Sequence, residues 1–289
     1  MKKLILLLVI FIQFSAQAYI PRFWMILSRT AENHGNGLYQ VIQNVTFLHQ
    51  AEPILLRESW LIRDGEHFRV TVTGLGSLKE KVEFTRIYDG DKVYYLGEGK
   101  KVRYHKLSDD WFESYFNFRY SAKIKPRMFA QKMISAEGLS LPPAYRPAKK
   151  GEERVLEYET DFLRLGRSNG KVAYAIGTPA PVGATQLPAG MWIEQDQFNV
   201  LKIRLKTQTE VTARNYGKFS RNLNIARVRE VSWGDQKAEI HTMSVKPLYV
   251  SSANKKLLSY QSLSEIKEEQ KPLRKEDDSV IYDFYSRFR

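Results

Sequence analysis

The segment ESWLIRDGEHFRV, residues 58–70, decides the fold. Apolar side chains occupy every second position on both sides of the dipeptide Asp64-Gly65. They are Trp60 and Ile62 before the dipeptide and Phe68, Val70 and Val72 after it. Aspartate–glycine between two alternating segments is a strong hairpin signal. The segment therefore predicts two antiparallel strands whose apolar side chains share one face.

Two later segments repeat this pattern. RIYDGDKVYYLGEGKKV, residues 86–102, places Tyr88 on an apolar face before another aspartate–glycine turn. MWIEQDQFNVLKIRL, residues 191–205, alternates in the same way around a polar turn. Helical spacing occurs at 21–34, 109–117 and 127–137, the last of which Pro126 opens, and a polar helix is predicted at 262–269. The chain is therefore predicted to be mainly β (α+β), with antiparallel strands.

The first eighteen residues predict a secretory signal. Lys2 and Lys3 precede an apolar run from Leu4 to Phe14, and Ala16 and Ala18 complete a small-residue cleavage site. The run is shorter than the ~20 apolar residues of a membrane-spanning helix. We therefore expect export, removal of residues 1–18 and a soluble mature chain outside the cytoplasm.

The balance of charge favours anionic partners. The formal net charge is +13, and it falls to +11 without Lys2 and Lys3. Lys202, Arg204 and Lys206 alternate along one strand and are candidates for contact with lipid headgroups or a partner; a solvated sheet face explains them equally well. Export makes nucleic acid the least expected partner, so we predict an anionic membrane surface and no nucleic acid.

Signals for catalysis are missing from the sequence. It has no cysteine, which excludes disulfides, thiol catalysis and thiolate metal sites. The five histidines show no metal-ligand spacing, and neither a nucleophile elbow nor a phosphate-binding loop motif occurs. We therefore predict no catalytic residue, no metal and no cofactor.

The order of these elements resembles the periplasmic lipoprotein carriers and outer-membrane lipoprotein receptors of Gram-negative bacteria (LolA/LolB-like). A helix leading into a long strand over 26–49 and the hairpins at 58–70, 86–102 and 191–205 carry the resemblance. It implies a strongly curved antiparallel sheet or half-barrel whose open side is covered by helices. It also implies a periplasmic protein that holds acyl chains of a lipoprotein, or another amphipathic lipid, in an apolar cavity.

The resemblance also implies roles for particular residues. The expected cavity lining is Trp60, Ile62, Phe68, Val70, Val72 and Tyr88. Family carriers have an arginine before the first hairpin turn that helps to hold the lid. Arg63 is the nearest match, although alignment through Phe68 places Asp64 there.

The chain exceeds the usual length of such carriers. We predict a half-barrel domain over 19–250 with an insertion around 107–190, and a tail over 251–289. The tail is nearly all charged between Lys267 and Asp278, so we expect it to be partly mobile.

Alternative functions remain open at this point. The first is an envelope scaffold or interaction protein on a related fold without a ligand. The second is a small outer-membrane β-barrel, suggested by the alternating strands and the aromatic end of the chain, Tyr282 to Phe288. A glycan hydrolase would require distant carboxylates to meet in a cleft.

Overall fold

The computed structural model describes residues 20–139, 161–220, 222–267 and 269–289. The predicted signal sequence, the proline-rich loop at 142–151 and a predicted strand at 155–160 lie outside these ranges. The described part of the predicted insertion, 107–139 and 161–190, contributes both helices and strands.

One antiparallel sheet of thirteen strands dominates the structure. The strands are β1 (Leu38–Phe47), β2 (Ile54–Ile62), β3 (His67–Gly74), β4 (Glu83–Asp89), β5 (Lys92–Leu96), β6 (Val102–Lys106), β7 (Leu163–Ser168), β8 (Lys171–Ile176), β9 (Gly190–Glu194), β10 (Val200–Arg204), β11 (Glu210–Ser220), β12 (Leu223–Trp233) and β13 (Gln236–Leu248). Their order is β6-β5-β4-β3-β2-β1-β13-β12-β11-β10-β9-β8-β7. The sheet is curved and is not closed, because β6 and β7 do not pair with each other.

The hairpin that decided the prediction has the expected register. Trp60 pairs with Val70, and Ile62 pairs with Phe68, so their side chains share one face of the sheet. The pairing of β1 with β13 joins strands β1–β6 and strands β7–β13 into one sheet. The predicted mainly β architecture is confirmed.

Five helices accompany the sheet in the described residues. They are α1 (Phe23–Glu32), α2 (Ser121–Ala130), α3 (Ala136–Leu139), α4 (Ser252–Leu257) and α5 (Ser279–Phe288). Buried side chains of α1, α2 and α5, together with those of 111–118, pack against one side of the sheet. This side, which carries Leu56, Trp60, Phe68, Val70 and Tyr88, is called the inner face.

The predicted boundaries of the helix at 127–137, which Pro126 was expected to open, are wrong. Pro126 lies inside α2, which begins at Ser121 and ends at Ala130. The residues that follow form a separate short helix, α3, after Ser135. Proline preorganises the φ of a first helical turn but does not require that position, and here tertiary packing of Ile124 and Met128 keeps the helix continuous.

The end of the chain is a buried helix. Asp278 caps α5, because its Oδ1 accepts hydrogen bonds from the backbone N–H groups of Val280 and Ile281, each at 3.0 Å. The aromatic segment Tyr282 to Phe288 therefore lies within a helix. Upstream, the backbone of Lys271 pairs with that of Glu83 at the start of β4. Partial mobility of the tail stays a prediction.

Candidate functional site

An aromatic cluster occupies the centre of the inner face. The rings of Trp60 and Phe68 lie 6.0 Å apart, and the Tyr88 ring lies 6.1 Å from Trp60. Trp111, which precedes a 3₁₀ turn over Glu113–Phe116, stacks on Tyr88 at 4.2 Å. Each of these four side chains is at most 2% exposed. Stacked and edge-to-face pairs of this kind stabilise a core beyond the area they bury.

The structure brings all six predicted lining residues together. Val70 and Val72 are fully buried, and Ile62 is 6% exposed. These three residues belong to one apolar cluster with the other three, Trp60, Phe68 and Tyr88. Burial against the protein's own side chains explains why apolar residues alternate along these strands without a ligand. Contact of the six residues with a ligand therefore stays a prediction.

Helix α5 covers the inner face with its apolar side. Its buried side chains are Ile281, Phe284, Tyr285 and Phe288. The Phe284 ring lies 5.1 Å from Phe47 of β1, and the Tyr285 ring lies 5.6 Å from Phe84 of β4. No backbone–backbone hydrogen bond links α5 to a strand in the described residues. Side-chain packing holds this helix on the sheet, together with hydrogen bonds that Arg86 donates to the carbonyl oxygens of Tyr285 and Arg289.

A ring of buried ionic and amide groups lies under α5. Glu58 accepts hydrogen bonds from Gln43 Nε2 at 2.6 Å and from Arg289 Nε at 2.9 Å. Arg289 Nη1 lies 3.0 Å from one oxygen of Glu113, and Arg229 Nη1 donates to the other at 2.6 Å. Arg229 Nη2 donates to Gln43 Oε1 at 3.1 Å. These five residues form the ion network. The negative charges of its two carboxylates equal the positive charges of its two guanidiniums.

Pairing keeps the ion network charged in spite of its burial. Burial alone would raise the pKa of Glu58, but the Arg289 guanidinium and hydrogen bonds from Gln43, Arg289 and Trp60 hold that pKa below its usual value. Burial would likewise lower the pKa of Arg289, but Glu58 and Glu113 keep it above its usual value. Removal of one partner would leave an uncompensated charge in the core.

Aromatic rings surround the guanidinium of Arg289. Its Cζ lies 5.2 Å from the ring centre of Trp60, 5.1 Å from that of Phe112 and 5.2 Å from that of Phe284. Cation–π contacts contribute most where the cation is desolvated. This arrangement links the position of α5 to the aromatic cluster on the sheet.

The space beside the ion network is small. A cavity of about 30 Å³ lies there, with Trp60, Glu113 and Arg229 in its wall. Such a volume holds about one or two water molecules, whereas an acyl chain needs many times that room. The apolar cavity expected from the sequence is therefore filled by α5 and the aromatic cluster in this structure.

A larger opening lies next to α5. A groove of about 700 Å³ runs between β4–β6 and the segment 269–274. Phe84 and Arg86 line the groove and also contact α5, through the Tyr285 ring and the Tyr285 carbonyl respectively. The groove and the inner face are thus separated by residues that touch the helix.

The predicted lid residue, Arg63, lies beside the β2–β3 turn. Its side chain is 53% exposed, and its Nε lies 3.5 Å from Asp64 Oδ2. Among the described residues, Asp64 is its only ion-pair partner within 4.0 Å. The lid role of Arg63 stays a prediction.

The predicted headgroup contacts are already paired with acids. Lys202 and Arg204 both contact Glu210, at 2.5 and 2.9 Å, and Lys206 lies 2.9 Å from Asp109. Two of the three are largely covered, with 20% and 14% of their side chains exposed for Lys202 and Arg204. Their contact with headgroups or a partner stays a prediction.

Sequence reasoning missed the members of the ion network. Gln43 and Glu58 occupy positions where the alternation of β1 and β2 predicts an apolar side chain. Each lies between apolar residues of the inner face, and neither was identified from the sequence as a candidate. Polar residues at such positions signal a buried polar contact. That signal could have identified Gln43 and Glu58 as candidates, although not their partners.

No group of three or more potential metal ligands clusters among the described residues. In the same residues, no helix has the length and apolar character to cross a membrane.

Comparisons with known proteins support the fold. No family model matches the sequence, and no curated protein matches it. A DUF1329 family protein from Desulfovibrio piger is similar with a TM-score of 0.50 and 10% identity, over 83% of this chain and 97% of that one. This likeness shows a shared fold and, at such identity, nothing more.

Two other solved structures are similar with lower scores. One is a LolA superfamily protein from Nitrosomonas europaea, with a TM-score of 0.49, 10% identity, and coverage of 83% of this chain and 98% of that one. The other is an outer membrane lipoprotein-sorting protein domain from Vibrio parahaemolyticus, with a TM-score of 0.47, 12% identity, and coverage of 82% and 95%. Neither score is high enough to carry an argument.

Proposed function

We propose that this protein is a non-catalytic carrier or receptor for acyl chains in the bacterial envelope. The ligand is a lipoprotein or another amphipathic lipid, and the protein works in the periplasm. The observation that carries the proposal is that an open sheet has an apolar inner face and that helix α5 covers part of it. In the proposed cycle, an acyl chain takes the place of α5.

The energies of this exchange are similar in size. Each buried CH₂ contributes ~0.8 kcal/mol, so a chain of ~16 carbons gains roughly 10 kcal/mol by leaving water. Helix α5 buries four large apolar side chains, and burial of each contributes about 1.5–3 kcal/mol. Displacement of α5 also takes Arg289 out of the ion network, which costs about 3–5 kcal/mol, so the free energies of the two occupants differ by only a few kcal/mol.

The groove beside α5 supports a route for the ligand. It is already open in the structure, and its inner wall contains Phe84 and Arg86, which touch the helix. Displacement of α5 would connect the groove with the aromatic cluster. A ligand could then enter from the edge formed by β4–β6 without any change in strand pairing.

Native mass spectrometry of the full chain with lipopeptides tests the proposal. A triacylated lipopeptide is expected to bind with a stoichiometry of one, because its chains are buried on the inner face. The same peptide without acyl groups is the matched control and is expected not to bind. Absence of binding by both would contradict the proposal, as would equal binding by both.

A scaffold protein without a ligand is the second candidate. The filled inner face favours it, because the cavity beside the ion network has a volume of only about 30 Å³. Replacement of Lys202, Arg204 and Lys206 by alanine separates the two functions. Loss of partner binding with lipopeptide uptake unchanged would support the scaffold.

A further inference from the structure

We propose that a pocket beside the β2–β3 turn binds the phosphate group of a ligand. The pocket has a volume of about 220 Å³ and lies between this turn and the segment that contains α2. Four basic side chains line it and define the basic pocket: Arg63, Arg119, Lys123 and Arg127. The proposal does not depend on acyl-chain binding at the inner face.

The basic pocket carries an excess of positive charge. Arg63 lies 3.5 Å from Asp64, and Lys123 Nζ lies 3.2 Å from Glu66. These two acids are the only carboxylates among the described residues that line the pocket. The charges of the other two arginines are therefore not balanced within it.

Arg127 provides the first of these charges. No carboxylate in the described part of the chain lies within 4.0 Å of its guanidinium. Its Nη2 makes one long hydrogen bond, 3.4 Å, to the carbonyl oxygen of Gly90. Burial lowers the pKa of Arg127, so its charge is incompletely solvated. An anion in the pocket would supply the acceptors that the guanidinium lacks.

Arg119 provides the second charge and holds a fixed position. Its Nη2 donates to the Tyr39 hydroxyl at 2.8 Å and to the Gly37 carbonyl at 2.5 Å. Its Nε is buried and has no hydrogen-bond partner among the described atoms. A buried donor without an acceptor is unfavourable, and a bound anion within reach would relieve this.

The turn that forms the wall of the pocket is closely packed. A Cβ added to Gly65 would lie 3.0 Å from the backbone Cα of Phe118, closer than most Cβ contacts, so glycine favours this close approach of the two segments. Asp64 Oδ1 accepts hydrogen bonds from the backbone N–H groups of Glu66 and His67, at 2.9 and 3.0 Å. The pocket is therefore formed before a ligand arrives, which lowers the cost of binding.

A phosphate group fits this pocket better than a carboxylate. Phosphate monoesters carry about −1.5 to −2 charges at pH 7 and offer three acceptor oxygens, which match two unbalanced guanidiniums. A carboxylate supplies one charge and two oxygens. The phosphate can belong to a lipid headgroup or to a free anion, and the experiment has one arm for each source.

Isothermal titration calorimetry of the full chain tests the proposal. Inorganic phosphate and the soluble short-chain lipid dihexanoyl phosphatidic acid, whose headgroup is a phosphate monoester, are titrated separately at low salt. We expect binding in at least one arm, with the dissociation constant raised at least about tenfold by R127Q. R167Q, which changes an exposed arginine on β7, is the control and is expected to leave binding unchanged.

A second variant guards against a folding defect in R127Q. Lys123 is 61% exposed, so K123E is expected to fold normally and to weaken binding by placing an anion at the pocket. Tighter binding of the lipid identifies a headgroup site, and binding of inorganic phosphate alone identifies a free-anion site; both support the proposal. No binding in either arm, or binding that R127Q and K123E leave unchanged, would overturn it.

Discussion

Replacement of Arg289 by methionine, R289M, is expected to lower the free energy of unfolding by about 3–5 kcal/mol. The change removes one of the two cations in the ion network and leaves Glu58, which is 0% exposed, without its closest positive partner. Methionine keeps most of the side-chain volume, so the loss reports charge rather than a cavity. Urea denaturation followed by circular dichroism measures it.

An exposed arginine provides the control for this experiment. Arg274 lies on the surface of the segment before α5, and R274M is expected to change stability by less than about 0.5 kcal/mol. If R289M lowers the free energy of unfolding no more than R274M does, the role assigned to the ion network is contradicted.

The same substitution is also expected to strengthen acyl-chain binding. Weaker attachment of α5 makes its displacement easier, and each 1.4 kcal/mol of that weakening corresponds to about a tenfold gain in affinity. R289M would therefore be less stable and yet bind the triacylated lipopeptide at least about tenfold more tightly. Unchanged affinity with lowered stability would mean that α5 does not compete with the ligand.

Acidification from pH 6.5 to pH 4 is expected to destabilise the protein by about 3 kcal/mol through His34 alone. Burial lowers the pKa of His34 to about 4, partly offset by the hydrogen bond to the Phe118 carbonyl and reinforced by Arg119. The folded-state pKa lies below the unfolded value of about 6.5. Between these values the unfolded chain takes up a proton that the folded chain excludes, so stability falls as the pH falls.

H34Q isolates this contribution. Glutamine can still donate a hydrogen bond to the Phe118 carbonyl, which lies 2.6 Å from His34 Nδ1, but it does not titrate. Urea denaturation at several pH values between 4 and 7 measures the free energy of unfolding. As the pH falls, this free energy is expected to decrease less in H34Q than in the unchanged protein. Equal pH dependence in both would contradict the assignment to His34.

Other groups act in different parts of the pH range. The hydrogen bond that His67 Nδ1 donates to Asp64 outweighs burial and raises the pKa of His67, so the contribution of His67 to stability is lost as the pH rises. The pKa values of Glu58 and Asp64 are lowered, so their contributions are lost as the pH falls through the range of carboxylates. The change in the free energy of unfolding just below pH 6.5 therefore comes mainly from His34.

Local pattern was sufficient to predict the hairpins. Alternation on both sides of Asp64-Gly65 predicted the strands, and the register of Trp60 with Val70 follows from the turn. Alternation and turn residues are local signals, because each depends only on residues a few positions apart in the sequence. The family resemblance then correctly predicted a curved sheet with helices against one face.

The position of α5 could not be predicted in the same way. Its apolar residues have helical spacing, at 281, 284, 285 and 288, but that spacing does not indicate which part of the sheet the helix covers. The partner of Glu58 in the ion network, Arg289, lies 231 residues away in the sequence. A polar residue on an apolar face reveals that a partner is needed, but only the folded chain reveals which one it is.

Hydrogen exchange of α5 tests the central claim most directly, namely that this helix occupies the place of an acyl chain. On addition of the triacylated lipopeptide, we expect the amides of 279–288 to exchange faster while those of β2 and β3 remain protected; the peptide without acyl groups should change neither. Binding of the lipopeptide with equal or greater protection of α5 would contradict the claim.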